Sequence, residues 1–330
     1  MSEYQFYWEP VKEGARLLRV FGTERSVTLP QRIAGVLLTE IGDYCFSGAR
    51  HLPAEYEKTE PLLLDGEPVP VTELAGSFPV EVILPDTVQK IGSFAFYNCT
   101  ALEKLELGRQ MDTVGSDAFM NCRSLCGITV RCGVSEKSGM RKILSQISSD
   151  IEVTFEKEKQ VDAIVFYPEY YESLDEITPA HIFSRSIEGE GFRARQCFRD
   201  DVADLAMYDA IFPKACAGES KKTLHKIVCT RLRYPVGMTE NSRLLYETYV
   251  RSHDLEMAEW MVREKMLSDF QYFCGQMLFS EDAIEEGIRT AVGTEWAEGV
   301  TSMLHIKREL HVKHQQFGTQ KVKRYSFDED

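Results

Sequence analysis

One spacing dominates the first half of the chain. Leu84 and Leu107, Ile91 and Val114, Ala95-Phe96 and Ala118-Phe119, Asn98-Cys99 and Asn121-Cys122, Leu102 and Leu125, and Leu105 and Ile128 are each 23 residues apart. A unit this short cannot bury its own apolar face, so stacking is the way such units obtain a core. The alternation in Leu105-Glu106-Leu107 sends two apolar side chains inward and one acid outward, which predicts a short strand. Successive strands then stack in parallel about 4.8 Å apart. Ile91, Phe96, Asn98, Cys99, Leu102, Val114, Phe119, Asn121, Cys122 and Leu125 are the expected repeat core. Phe96 and Phe119 are expected to stack. Asn98 and Asn121 should lie over one another and satisfy turn backbone. Gly92 and Gly115 are expected where the backbone turns with positive φ.

A looser copy runs from Val27-Thr28-Leu29-Pro30 to Ile41-Gly42-Asp43-Tyr44-Cys45-Phe46, with the same five-residue step from Ile41 to Phe46 as from Ile91 to Phe96. Residues 49–80 are rich in proline and read as an insertion that ends in a degenerate repeat, Glu73 to Phe78. After the array, Met140, Ile143, Leu144 and Ile147 have helical spacing, and Ile151 to Phe155 alternates as a final strand. A helix there would cap an exposed edge.

These residues resemble the BspA-like type of bacterial leucine-rich repeat, whose pattern is LP-x-x-V-x-x-IG-x-x-AF-x-x-C-x-x-L-x-x-L-x-L. Residues 82–130 follow the pattern closely and residues 15–48 follow the usual entry segment, so the resemblance covers roughly residues 15–155. It implies a right-handed solenoid with a small parallel sheet, used as a binding scaffold and not as an enzyme.

From about residue 160 the apolar period becomes 3.6. Helices are expected over 201–212 with Pro213 ending the first, then 221–233 behind an N-cap at Ser220, 241–251, 254–265, 280–292 and 296–310. The helix over 241–251 should present Leu244, Leu245, Thr248 and Tyr249 on its packed face. The joints at 249–256 and 291–296 are faintly similar to those of ankyrin-type helix pairs. The expected fold class is therefore α+β and multidomain: a leucine-rich-repeat solenoid over 1–157, an all-α helical-hairpin domain over 158–312 and a frayed polar tail over 313–330.

Charge narrows the function classes. Basic residues number 16 against 22 acidic over 1–157 and 18 against 27 over 158–312, so neither domain has the basic balance that nucleic acid or an anionic membrane attracts. No leader and no apolar run near the length of a membrane span is visible, which makes a cytoplasmic protein the expectation. The nine cysteines, an odd number, suit reduced and mostly buried thiols. Cys122, Cys126 and Cys132 lack a fourth ligand for structural zinc, and Cys122 repeats the position of Cys99. No metal and no cofactor is expected. His225 with Lys221, Lys222, Arg231 and Arg233 reads as a local basic surface.

The segment 166–199 stands out. Tyr167, Glu169, Tyr170, Tyr171, His181, Arg185, Arg193 and Arg195 combine the residue types that most often anchor interfaces. They form the candidate interaction surface; the competing reading has the aromatics packing a domain junction. No GxSxG, Walker loop, GxGxxG or HExxH motif is present. A non-enzymatic, intracellular protein-interaction adaptor is the leading expectation. An enzyme with a site at the domain junction and a surface adhesin are the alternatives.

Overall fold

The computed structural model describes residues 4–49, 62–64, 67–69, 72–109, 111–177 and 182–323. The chain divides into two compact units, Met1–Glu219 and Ser220–Asp330. The packing therefore breaks at 219/220, whereas the periodicity suggested 157/158.

The first unit is a solenoid of about five turns. The strands Ser26–Thr28, Glu81–Ile83, Lys104–Gly108, Gly127–Arg131 and Ile151–Lys157 stack in parallel as one sheet. Val27, Val82, Leu105, Ile128 and Val153 face one another along it in register, and all are buried. A second sheet stacks Gly14–Gly22, Val36–Ile41, Lys90–Ile91 and Thr113–Val114 in parallel, with Leu17, Ile41, Ile91 and Val114 superposed. Gln5–Val11 closes its outer edge antiparallel to Gly14–Gly22.

Aromatic rings form the third side. Phe46 stacks on Phe96 at 4.9 Å and Phe96 on Phe119 at 5.3 Å, with planes 3° and 8° apart. Thiols bind the turns beside them: Cys99 Sγ donates to the Phe46 carbonyl at 3.0 Å and Cys122 Sγ to that of Phe96 at 3.1 Å. Ile91, Phe96, Cys99, Leu102, Phe119, Cys122 and Leu125 are buried, while Val114, Asn98 and Asn121 are half-buried. The two asparagines do superpose. Their bond differs from the expected one, because Asn121 Nδ2 donates to Asn98 Oδ1 and not to turn backbone.

The glycines also act differently. Gly92 and Gly115 do not have positive φ; the left-handed positions are Tyr44, Phe94, Asn98, Asp117 and Asn121. The glycines serve close approach instead. A Cβ on Gly115 would lie 2.3 Å from Ser93 N, and one on Gly92 would lie 2.5 Å from Asp43 N. Turns stacked this tightly leave no room for a side chain. Gly92→Ala is accordingly expected to cost about 3 kcal/mol by forcing adjacent turns apart; an unchanged denaturation midpoint would contradict this geometry.

The insertion leaves and rejoins the solenoid where Gly48 and Gly76 meet backbone to backbone, 3.1 Å from a notional Cβ on Gly76 to Gly48 Cα. Glu73 pairs with Phe21 on the way back. At the far end, only Met140–Leu144 is helical, with Met140, Ile143 and Leu144 buried. Ile151–Lys157 is not the last strand. Gln160–Tyr167 pairs antiparallel with it through a two-residue turn at Glu158 and Lys159, both with positive φ. A separate hairpin, Tyr171–Ile177 with Ile182–Glu188, comes next. Gln160–Tyr167, Tyr171–Ile177 and Ile182–Glu188 are thus strands in a region expected to be helical, because their alternation of period two is satisfied by antiparallel pairing. Pro213 starts a helix, Phe212–Gly218, in place of ending one, since a first-turn proline gives up no hydrogen bond.

The second unit is helical: Lys221–Arg233, Glu240–Ser252, Asp254–Arg263, Leu267–Gly275, Glu281–Gly293 and Ala297–Lys323. The last runs into the segment expected to be frayed. Ser220, Thr239 and Ser280 are side-chain caps. Three of the joints share one ending. Lys265, Met277 and Glu295 are left-handed, and the next residue returns a bond five positions back, Met266 to Met261, Leu278 to Phe273 and Trp296 to Ala291. Leu244 and Leu245 are exposed, not packed; Tyr246, Tyr249 and Val250 form the inward face of their helix.

Candidate functional site

Each turn of the array hands its backbone to the next. The N–H groups of Phe94, Phe96 and Asn98 donate to the carbonyls of Ser116, Ala118 and Met120. The turn at 116–122 is the last of its kind, because the repeat pattern ends after it. Its equivalent N–H groups are those of Asp117, Phe119 and Asn121, and among the described residues no protein group accepts from them.

A side chain from beyond the array binds this turn at groups outside that row. Gln146 Oε1 accepts from Ala118 N–H at 2.8 Å, and Gln146 Nε2 donates to the Gly115 carbonyl at 2.9 Å. Around this edge lies a cleft of about 690 Å³. Asp117, Met120 and Arg123 form one wall, Ser148 and Ser149 another, and Tyr170 to Glu172 a third. Met120 is 50 % exposed and Tyr171 63 % exposed, so the mouth is partly apolar.

The wall at 148–172 is held by Arg195. Its guanidinium is buried and donates to the carbonyls of Ser149, Gly191 and Pro168, the first two at 2.5 and 2.9 Å. It also lies 5.2 Å from the ring centre of Tyr170. Burial pushes the Arg195 pKa down to about 10, and burial likewise raises that of Tyr170. Three carbonyls from separate segments converge on one cation, so Arg195→Leu is expected to lower stability by about 3 kcal/mol. Denaturant unfolding would check it; a change below about 0.5 kcal/mol, the range of an ordinary surface substitution, would remove Arg195 from this role.

The predicted interaction residues therefore separate. Tyr167, Tyr170 and Arg195 are buried and pack the base of the site, so they offer no free surface. Glu169, Tyr171, Arg185 and Arg193 are exposed or half-exposed, and His181 lies outside the described residues. Arg185 Nη2 reaches Glu172 Oε1 at 2.5 Å across the hairpin, and Arg193 pairs with Glu190 at 2.7 Å. The hairpin pairs with no third strand among the described residues. One of its faces carries Leu174, 67 % exposed, Phe183, 62 %, and Ile187, 37 %.

Sequence reasoning missed Asp117, Met120, Arg123 and Gln146. The signal was present: no IG-x-x-AF segment comes after Cys132, so the turn at 116–122 must end the ladder. The His225 reading is corrected as well. Lys221 and Lys222 pair outward with Glu256 and Glu264, but His225 and Arg231 are buried and make no surface.

All nine cysteines are free, and Cys126 and Cys216 alone are exposed. Among the described residues, no group of three or more His, Cys, Asp or Glu is arranged to hold a metal ion, and no helix is long and apolar enough to cross a membrane. The family model for the BspA type leucine rich repeat region, with 6 copies, matches residues 77–178. Comparison with curated proteins and with solved structures gave no match. The matched span runs from the second turn of the array into the first strand of the hairpin, so the repeats are of the BspA type and a helical unit is fused after them.

Proposed function

We propose that the chain is a non-enzymatic protein-interaction scaffold, an adaptor that engages its partner at the open end of the repeat array. Repeats of this type suggest protein binding, and the hairpin carries the reading further. Two-stranded sheets are marginal in water, and clustered exposed apolar side chains on one mark a surface that gains from being covered. Leu174, Phe183 and Ile187 form such a cluster beside the cleft, around the Arg185–Glu172 ion pair. The compartment we favour is the cytoplasm, supported by nine free thiols and no disulfide.

Affinity capture from a lysate of the native cell tests this, with the full chain and a Leu174→Asp, Phe183→Asp variant as baits. A saturable protein partner, held by the wild-type chain and reduced by roughly ten-fold in the variant, is expected. A well-folded chain that retains no protein saturably would end the reading and return weight to a small ligand or substrate.

A further inference from the structure

We infer that the cleft takes an extended peptide segment of a partner protein, whose main-chain carbonyls accept from the N–H groups of Asp117, Phe119 and Asn121. The inference rests on the protein-binding reading above and names what is bound.

Three observations carry it. First, the row has a fixed complement. Within the array, the same three positions one turn earlier bond to carbonyls two residues apart, those of Ser116, Ala118 and Met120. An extended chain presents carbonyls to one side at every second residue, which is the same spacing in sequence. Second, this turn already binds an amide and keeps the row open. Gln146 places its amide carbonyl on Ala118 N–H and its amide N–H on the Gly115 carbonyl, groups outside the row, and leaves Asp117, Phe119 and Asn121 N–H to another acceptor. Third, the cleft has room beside that side chain, about 690 Å³, with Met120 and Tyr171 at its mouth to receive an apolar side chain.

Other occupants fit less well. One anion cannot span donors on three alternate residues, and the carboxylates of Asp117 and Glu172 line the same space. A second copy docked through the same edge would set N–H against N–H. The donors call for a chain that brings acceptors at regular intervals.

The test uses the full chain panned with a phage-displayed library of short random peptides, then hydrogen exchange of the amides with a selected peptide bound. The expected result is enrichment of peptides with an apolar residue and slower exchange at Asp117, Phe119 and Asn121, by roughly ten-fold or more. Met120→Arg and, separately, Ser148→Arg place bulk at exposed positions lining the cleft, and each should weaken peptide binding by roughly ten-fold. No enriched peptide, protection confined to other amides, or binding indifferent to both variants would overturn the inference. So would a dimer that forms without peptide and is lost in Met120→Arg. If Met120→Arg captures the native partner as well as the wild type does, this inference fails while the protein-binding reading stands.

Discussion

Phe96→Ala is expected to destabilise the repeat unit by about 3–5 kcal/mol, the cost of deleting a fully enclosed aromatic ring. Phe96 has no exposed surface, and rings lie on both of its faces, Phe46 at 4.9 Å and Phe119 at 5.3 Å. Collapse of the neighbours into the cavity is opposed by the backbone. Phe46 N–H is tied to the Ala95 carbonyl at 2.7 Å and Phe96 N–H to that of Ala118 at 2.8 Å, so the turns above and below hold their separation. The loss should therefore include a cavity term in addition to the lost transfer energy. Met120→Ala is the internal comparison. Met120 belongs to the last turn, is half exposed, and should change stability by no more than about 0.5 kcal/mol. Equal midpoints for Phe96→Ala and wild type would mean that the rings do not stack and that the register is wrong.

The ladder could be read from the sequence because stacking repeats each contact at a constant offset. Leu105 pairs with Ile128 and Ile91 with Val114 for the same reason that they align by eye. Beyond the array no contact is repeated in this way. The hairpin turn at Glu158-Lys159 takes two left-handed residues without glycine or asparagine, and so does the turn at Asp200-Asp201 that joins Arg199 to Val202. The first turn carries none of the usual markers and the second carries aspartate without the glycine that completes the hairpin signal, so the strands they join were invisible as pairs. The helix Leu267–Gly275 was missed because it is short, has no side-chain cap and buries Phe270, Phe273 and Cys274 in a run that ends at glycine. In the site, the aromatic and arginine content of 166–199 pointed to the right place, yet composition does not distinguish a buried arginine that holds three carbonyls, Arg195, from one paired at the surface, Arg193. Gln146 is harder still, since its bonds to Ala118 and Gly115 join a segment outside the repeat to the last turn and no periodicity announces them.

Acid should destabilise the helical unit through one side chain. His225 is 3 % exposed, and among the described residues neither ring nitrogen has a hydrogen-bond partner. Its ring lies 5.4 Å from Trp260 and 6.1 Å from Tyr249, an environment that cannot solvate an imidazolium. Burial lowers its pKa from 6.5 to about 4; Glu256 opposes the shift, while His253 and Lys221 reinforce it. The unfolded chain takes up the proton near pH 6.5, and the folded chain does so only near pH 4. Between those values the unfolded state binds more protons, so stability is full above pH 6.5 and is lost as pH falls towards 4. The loss amounts to about 2 kcal/mol by about pH 5 and about 3 kcal/mol at its limit. Glu256 is held low by its hydrogen bond to Lys221 and loses its own contribution only in stronger acid. Comparison with His225→Leu isolates the term, because that variant has no imidazole to protonate. Denaturant unfolding of the full chain, monitored through tryptophan emission at about pH 7.5 and about pH 5, should show the wild type losing about 2 kcal/mol more than His225→Leu. Parallel losses in the two proteins would place a solvating group against the imidazole, and the buried face of the helix Lys221–Arg233 would then have to be redrawn around a hydrated histidine.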